Sequence, residues 1–152
     1  MAGSNSASRA DSLATATHAF VDILVQTSFE VIAVVTRAGA EHDLSLTLVR
    51  MLGILRDRTL TMADLATYLG LERSTVSGLV DRAERRGLVA RRASASDGRS
   101  IELLLTAPGQ ELANAVADAV AERLGPVVEK LPAEIRGALP GALAQLQVVV
   151  RS

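Results

Sequence analysis

The chain has 152 residues and a formal net charge of −1, which is room for one domain of ordinary size and too little for two independent ones. Apolar residues make up 49% but aromatic ones only 2%, so the core must come from Leu, Val, Ile and Ala, a composition that suits packed helices. There is no cysteine, which excludes disulfides, thiolate metal sites and thiol redox switching within this chain.

Residues 1–10 are rich in Ser, Ala and Gly and read as a disordered tail. The opening "MAGSNSASRADSLATATHAF" lacks the basic-then-apolar order of a secretory signal, and with the absence of cysteine this fits a cytoplasmic protein. From Asp11 to Ala38 apolar residues recur at helical spacing, with Phe20, Leu24, Val31, Val34 and Val35 joined by Ile23 and Ile32. One long helix is expected there, ending near Gly39. Asp22, Gln26 and Glu30 interrupt its most apolar part at about one-turn intervals, so the helix reads as amphipathic and no membrane partner is expected. A second helix over Leu44 to Arg56 would bury Leu48, Met51, Leu52 and Leu55.

The stretch "TMADLATYLGLERSTVSGLVDRAERRGL" is the most informative. Thr61 followed by Asp64 has the spacing of a capping box, and the helix it opens carries Leu65, Ala66 and Leu69 before stopping at Gly70. A new helix then runs to Arg86 and Gly87, with Val76, Leu79, Val80 and Ala83 at i, i+3, i+4 and i+7 facing inward. Its opposite face holds Ser74, Thr75, Ser77, Gly78, Asp81, Arg82 and Arg85. Short hydrogen-bonding groups suit close approach to base edges, and cations suit passing phosphates, as a helix in a DNA major groove requires. Such a face on its own would also describe an ordinary surface helix; the capped helix and glycine turn before it favour the DNA reading.

"LVARR" and "SIELLLT" follow as short strand-like runs, with Val89, Ile101, Leu103 and Leu105 available to pack on the helices. A hairpin directly after a recognition helix is a wing. Thr106 can cap a long helix through Leu112, Val116, Val120 and Leu124, and a last helical region opens near Pro132 and reaches Val150, broken at Pro140-Gly141. Charge is uneven along the chain. Residues 50–99 hold ten arginines against six acids, a balance of +4, while the rest holds six basic and eleven acidic residues. An electropositive third in an acidic scaffold agrees with polyanion binding, although a solvated charged face has the same signature.

From Leu60 to Leu112, through "LTMADLATYLGLERSTVSGLVDRAERRGLVARR", "SDGRS" and "LLLTAPGQEL", the sequence resembles the MarR family of bacterial transcription regulators. The family's wing pattern falls on Asp97, Arg99, Leu105 and Thr106. The fold implied is mainly α with a small β-hairpin wing. Residues 44–106 would form the winged helix-turn-helix lobe, within one domain over 11–152 whose segments 11–43 and 107–152 are dimerisation helices. The resemblance further implies a homodimer on a palindromic operator in double-stranded DNA, with recognition helices roughly 34 Å apart. The apolar tail with Leu143, Leu146, Val148 and Val150 fits that dimer, or burial on the long helix of its own chain.

By the same resemblance Ser74, Thr75, Ser77 and Gly78 are expected near bases, and Arg73, Arg82, Arg85 and Arg86 near phosphates, with Arg91 and Arg92 as further phosphate candidates on the first wing strand. Arg99 would enter the minor groove with Asp97 orienting it; otherwise the two form a local ion pair worth about 0–1 kcal/mol. Gly78 departs from the larger residue frequent in the family, at a helix-propensity cost of roughly 1 kcal/mol. The uncharged "ASAS" of the wing departs as well.

Relatives that respond to a small-molecule effector hold it between the dimer helices and the lobe, which puts forward Phe29, Thr36, Arg37 and His42. His18 and His42 are the only histidines, and Glu41-His42-Asp43 reads as a solvated turn, so neither metal nor other cofactor is expected. No triad or phosphate-cradling loop is present, which argues against an enzyme. The expected function is a dimeric, sequence-specific DNA-binding regulator, a repressor released by its effector. The alternative is a winged-helix dimer that binds a protein partner, which would need an apolar outer face on the helix from Glu72 to Arg86.

Overall fold

Between Ser4 and Ala38 the chain contains neither proline nor glycine, and nothing in that stretch stops a helix once begun. In the computed structural model, which describes residues 3–94 and 100–151, helix α1 spans Gly3–Ala40. It starts inside the stretch read above as a tail. Only its C-terminal end is packed: Ala38 is buried and Val34 and Val35 are half-buried, while Phe20, Ile23, Val31 and Ile32 of the apolar stripe are exposed. Ser45 then caps α2, Leu46–Leu55, by accepting from the Leu48 amide at 3.3 Å. The cap makes α2 shorter than expected at its start.

Helices α3, Met62–Leu69, and α4, Arg73–Arg85, follow, and then strands β2, Val89–Ala93, and β3, Ile101–Leu105. A further two-residue strand, β1 at Leu60–Thr61, precedes α3 and lies outside the sequence expectation. The sheet is antiparallel in the order β1-β3-β2, pairing Leu60 with Leu103 and Val89 with Leu105. Leu103 on the middle strand is fully buried, whereas Ile101 at the strand's outer end is exposed.

One core joins these elements. Met51, Leu52 and Leu55 of α2 meet Leu65 and Leu69 of α3, then Val76, Leu79, Val80 and Ala83 of α4, Leu103 of β3, and Ala113 and Val116 of α5, Ala107–Glu129. Truncating a fully buried leucine such as Leu52 or Leu65 to alanine typically costs about 2–5 kcal/mol, so this cluster is what holds α4 at its angle.

The start of α5 is fixed against the turn that ends α4. Thr106 accepts from the Gly109 amide at 3.1 Å, donates its hydroxyl to the Gly87 carbonyl at 2.5 Å, and its amide donates to Leu88 O at 3.1 Å. At Gly109 a Cβ would lie 1.9 Å from the Leu88 carbonyl oxygen, so only glycine admits this approach. The last helix, α6, runs without interruption over Ala133–Arg151 with Pro140 inside it. The break expected at Pro140-Gly141 is therefore corrected. Proline removes one backbone donor, but Ala138, Leu139, Ala142 and Leu143 around it are strong helix formers that carry the helix across.

Candidate nucleic-acid interface

The site is assembled from the turn between α3 and α4. Thr61 accepts from the Asp64 amide at 3.2 Å and Asp64 accepts from the Thr61 amide at 3.4 Å, completing the reciprocal cap expected from sequence. At the other end Gly70 takes φ 67°, ψ 37°, the left-handed conformation that lets α3 stop and α4 start at a new angle. Arg50 of α2 donates to the Leu69 carbonyl at 3.2 Å and ties the same turn to the helix behind it.

The buried face of α4 is the expected one, Val76, Leu79, Val80 and Ala83. Its outer face brings together Arg73, Ser74, Thr75, Asp81, Arg82 and Arg85, all exposed, with Ser77 and Gly78 half-buried between them. The guanidinium groups of Arg73 and Arg82 make no hydrogen bond or ion pair with the described residues.

Arg85, Arg86, Arg91 and Arg92 are engaged within the protein. Arg85 Nε donates to Asp81 O at 3.3 Å, and Arg86 donates to the Asp43 carbonyl at 3.2 Å. Arg91, on β2, donates to Asp81 at 2.5 Å and also to Glu84, both on α4. The hydrogen bond to Asp81 in the first place, supported by the charges of Glu84 and Asp81, raises the Arg91 pKa above its ordinary value. Arg92 pairs across the hairpin with Glu102 at 3.0 Å. Glu102 also accepts from the Ser94 hydroxyl at 2.7 Å; that hydrogen bond first and Arg92 second hold its carboxyl below the usual carboxylate range.

The sequence reading thus found the helix face but missed the acids that engage Arg91 and Arg92. Asp81 and Glu84 stand ten and seven residues from Arg91, and only the α4–β2 turn brings them together. Glu102 was signalled by the register alone, which sets it opposite Arg92. Asp97 and Arg99, the wing-tip residues, lie outside the described residues.

Behind the lobe a cavity of about 230 Å³ lies between α1, α2 and α5, lined by apolar groups such as Val35, Leu52, Val116 and Val120 with Arg56 as the one cation. Phe29, Thr36, Arg37 and His42 do not line it. Phe29 is exposed on α1, Thr36 donates back to Ile32 O at 2.7 Å, Arg37 is exposed in the last turn, and His42 is half-buried in the α1–α2 corner.

A capped helix, a left-handed turn, a core-anchored second helix with a polar outer face and a three-stranded wing define a winged helix-turn-helix protein. Residues 42–100 match the model of the MarR family. Over 88 residues the chain is 34% identical to the HTH-type transcriptional regulator FarR of Neisseria gonorrhoeae, covering 58% of this chain and 60% of that one, so it spans under two thirds of that relative's length. The crystal structure of NadR in complex with 4-hydroxyphenylacetate is 28% identical with a TM-score of 0.71, over 81% of this chain and 88% of that one. The structure of CouR from Rhodococcus jostii bound to p-coumaroyl-CoA is 25% identical with a TM-score of 0.70, over 82% and 88%. Over its winged helix-turn-helix segment the chain is thus similar to regulators of the MarR family.

Proposed function

We propose that the chain is a homodimeric, sequence-specific DNA-binding transcription regulator of the cytoplasm, a repressor released from a palindromic operator by a small-molecule effector. The observation that carries this reading is the outer face of α4. Ser74, Thr75, Ser77 and Gly78 are small enough for the backbone to approach base edges, and Arg73 and Arg82 flank them with guanidinium groups that no described residue engages. That polar, basic face is unsuited to an apolar protein partner. Arg99, oriented by Asp97, is assigned to the minor groove on the strength of the family pattern.

Dimerisation is supported by the apolar residues that the single chain leaves uncovered. Phe29 is 65% exposed on α1 and Val150 is 77% exposed on α6, with Phe20, Ile23, Leu143 and Val148 also exposed on these helices. A second copy would cover them. The stretch Leu13–Ala40 is also long and apolar enough to cross a membrane, but Asp22 and Glu30 lie along it and its end packs into the core through Ala38. Effector binding is supported by the apolar cavity with Arg56 at its wall, whose chemistry fits a small apolar acid, and by the ligands seen in NadR and CouR.

Titrating duplex DNA at several salt concentrations tests the electrostatic part of this reading. With the phosphate contacts typical of such dimers, affinity should fall by roughly 10³–10⁵ between 50 and 200 mM salt, and replacing Arg73 and Arg82 by Gln should flatten the dependence. A complex insensitive to salt would remove DNA from the proposal.

A further inference from the structure

Arg91 comes off the first wing strand, where a phosphate contact is the natural expectation, yet its side chain reaches back over the last turns of α4. Asp81 and Glu84 are three residues apart, so their carboxylates stand on the same side of that helix. The two terminal nitrogens of Arg91 each hold one of them. A planar guanidinium can serve two carboxylates at once, and an ammonium, a single point charge, cannot do so with the same geometry. The next residue serves a different role, because alternate strand residues point to opposite faces: Arg92 stays within the hairpin on Glu102.

Charge leads to the same conclusion. Two acids on a helix offered to a polyanion oppose binding, so a role for them must lie elsewhere than in attraction to DNA. We propose that Arg91, Asp81 and Glu84 form a clamp that fixes the wing relative to the recognition helix, so that Arg91 positions the DNA-reading elements instead of touching DNA. The side chain of Arg91 is 32% exposed, and one fork shared by two acids forms a network, which a lone surface pair does not. The clamp lets α4 and the wing meet neighbouring grooves in one register.

This inference rests on the DNA-binding reading of α4, and its test separates the two. The probes are a duplex selected by the wild-type protein from a randomised pool and a random-sequence duplex of equal length, both titrated by fluorescence anisotropy. Asp81→Asn with Glu84→Gln removes two negative charges from the DNA-facing helix, and charge alone would tighten binding to both probes. With the clamp, the random duplex is bound at least as tightly as by wild type while the selected duplex is bound about tenfold more weakly. Arg91→Lys, which keeps the charge and loses the fork, should show the same loss on the selected duplex. Tighter binding of the selected duplex by the double variant, or wild-type affinity in Arg91→Lys, overturns the clamp and leaves the DNA reading intact. A wild-type protein that enriches no sequence from the pool overturns the DNA reading and the clamp with it.

Discussion

Arg86, which caps the C-terminal end of α4, donates from its guanidinium to the backbone carbonyl of Asp43 in the corner between α1 and α2. Asp43 has φ 55°, the one positive φ among non-glycine residues described here, and Arg123 of α5 binds Glu41 in the same corner. The corner is therefore held from the end of α4 on one side and from α5 on the other. Replacing Arg86 by Met should lower stability by about 1 kcal/mol through the lost hydrogen bond. Urea denaturation at neutral pH measures this, and an unchanged midpoint would mean that Arg86 serves DNA alone.

The contact of α5 with the end of α4 leaves no room at Gly109. Its Cβ would come within 1.9 Å of Leu88 O and 2.8 Å of the carbonyl carbon, both backbone atoms that cannot turn aside. Gly109→Ala should cost on the order of 1–3 kcal/mol even though alanine is the better helix former. A denaturation midpoint at or above that of wild type would contradict the close approach.

Glu102 gives the wing a pH dependence of definite sign. The Ser94 hydroxyl and then Arg92 stabilise its ionised form, so its pKa in the folded chain lies below the ordinary value. A carboxyl lowered in this way contributes stability that is complete above the ordinary glutamate pKa and is lost as pH falls through the lowered one. Glu102→Gln should therefore melt below wild type at neutral pH, with the gap narrowing as the solution is acidified into and below the usual carboxylate range. A gap that widens in acid would reverse the assignment.

The parts of the fold that were legible in the sequence rest on short-range chemistry. Thr61 and Asp64 announce a cap because both partners lie within one turn, and Gly70 and Thr106 mark a helix end and a helix start in the same way. The inward face of α4 could be read because Val76, Leu79, Val80 and Ala83 repeat with the helix period. Strand β1 was not legible: two residues have no period, and Leu60 is a strand residue only because Leu103 lies beside it. The partners of Arg91 were hidden for the same reason, since the α4–β2 turn and not the spacing sets them together. Along α1 the apolar stripe was visible, but its periodicity did not tell that Phe20, Ile23, Val31 and Ile32 stay exposed in the single chain.

Gly78 separates folding from function. It sits inside α4, where a Cβ would meet nothing closer than the flexible end of Arg82 at 3.5 Å, so the fold has no need of glycine there. Gly78→Ala should stabilise the protein by up to about 1 kcal/mol. If the glycine instead allows close approach to base edges, the same variant should bind its selected duplex more weakly. A thermal melt and an anisotropy titration on one preparation decide this, and equal or tighter binding would remove Gly78 from the interface.

The claim on which the rest depends is that a symmetric pair of α4 helices reads sequence. Selection of wild-type-bound duplexes from a randomised pool, followed by sequencing, tests it most directly. The expected result is a palindrome whose half-sites are centred about 10–10.5 base pairs apart, the spacing of successive major grooves on one face of the duplex. Recovery of unrelated sequences with no common half-site, or of a single unrepeated half-site, would contradict it.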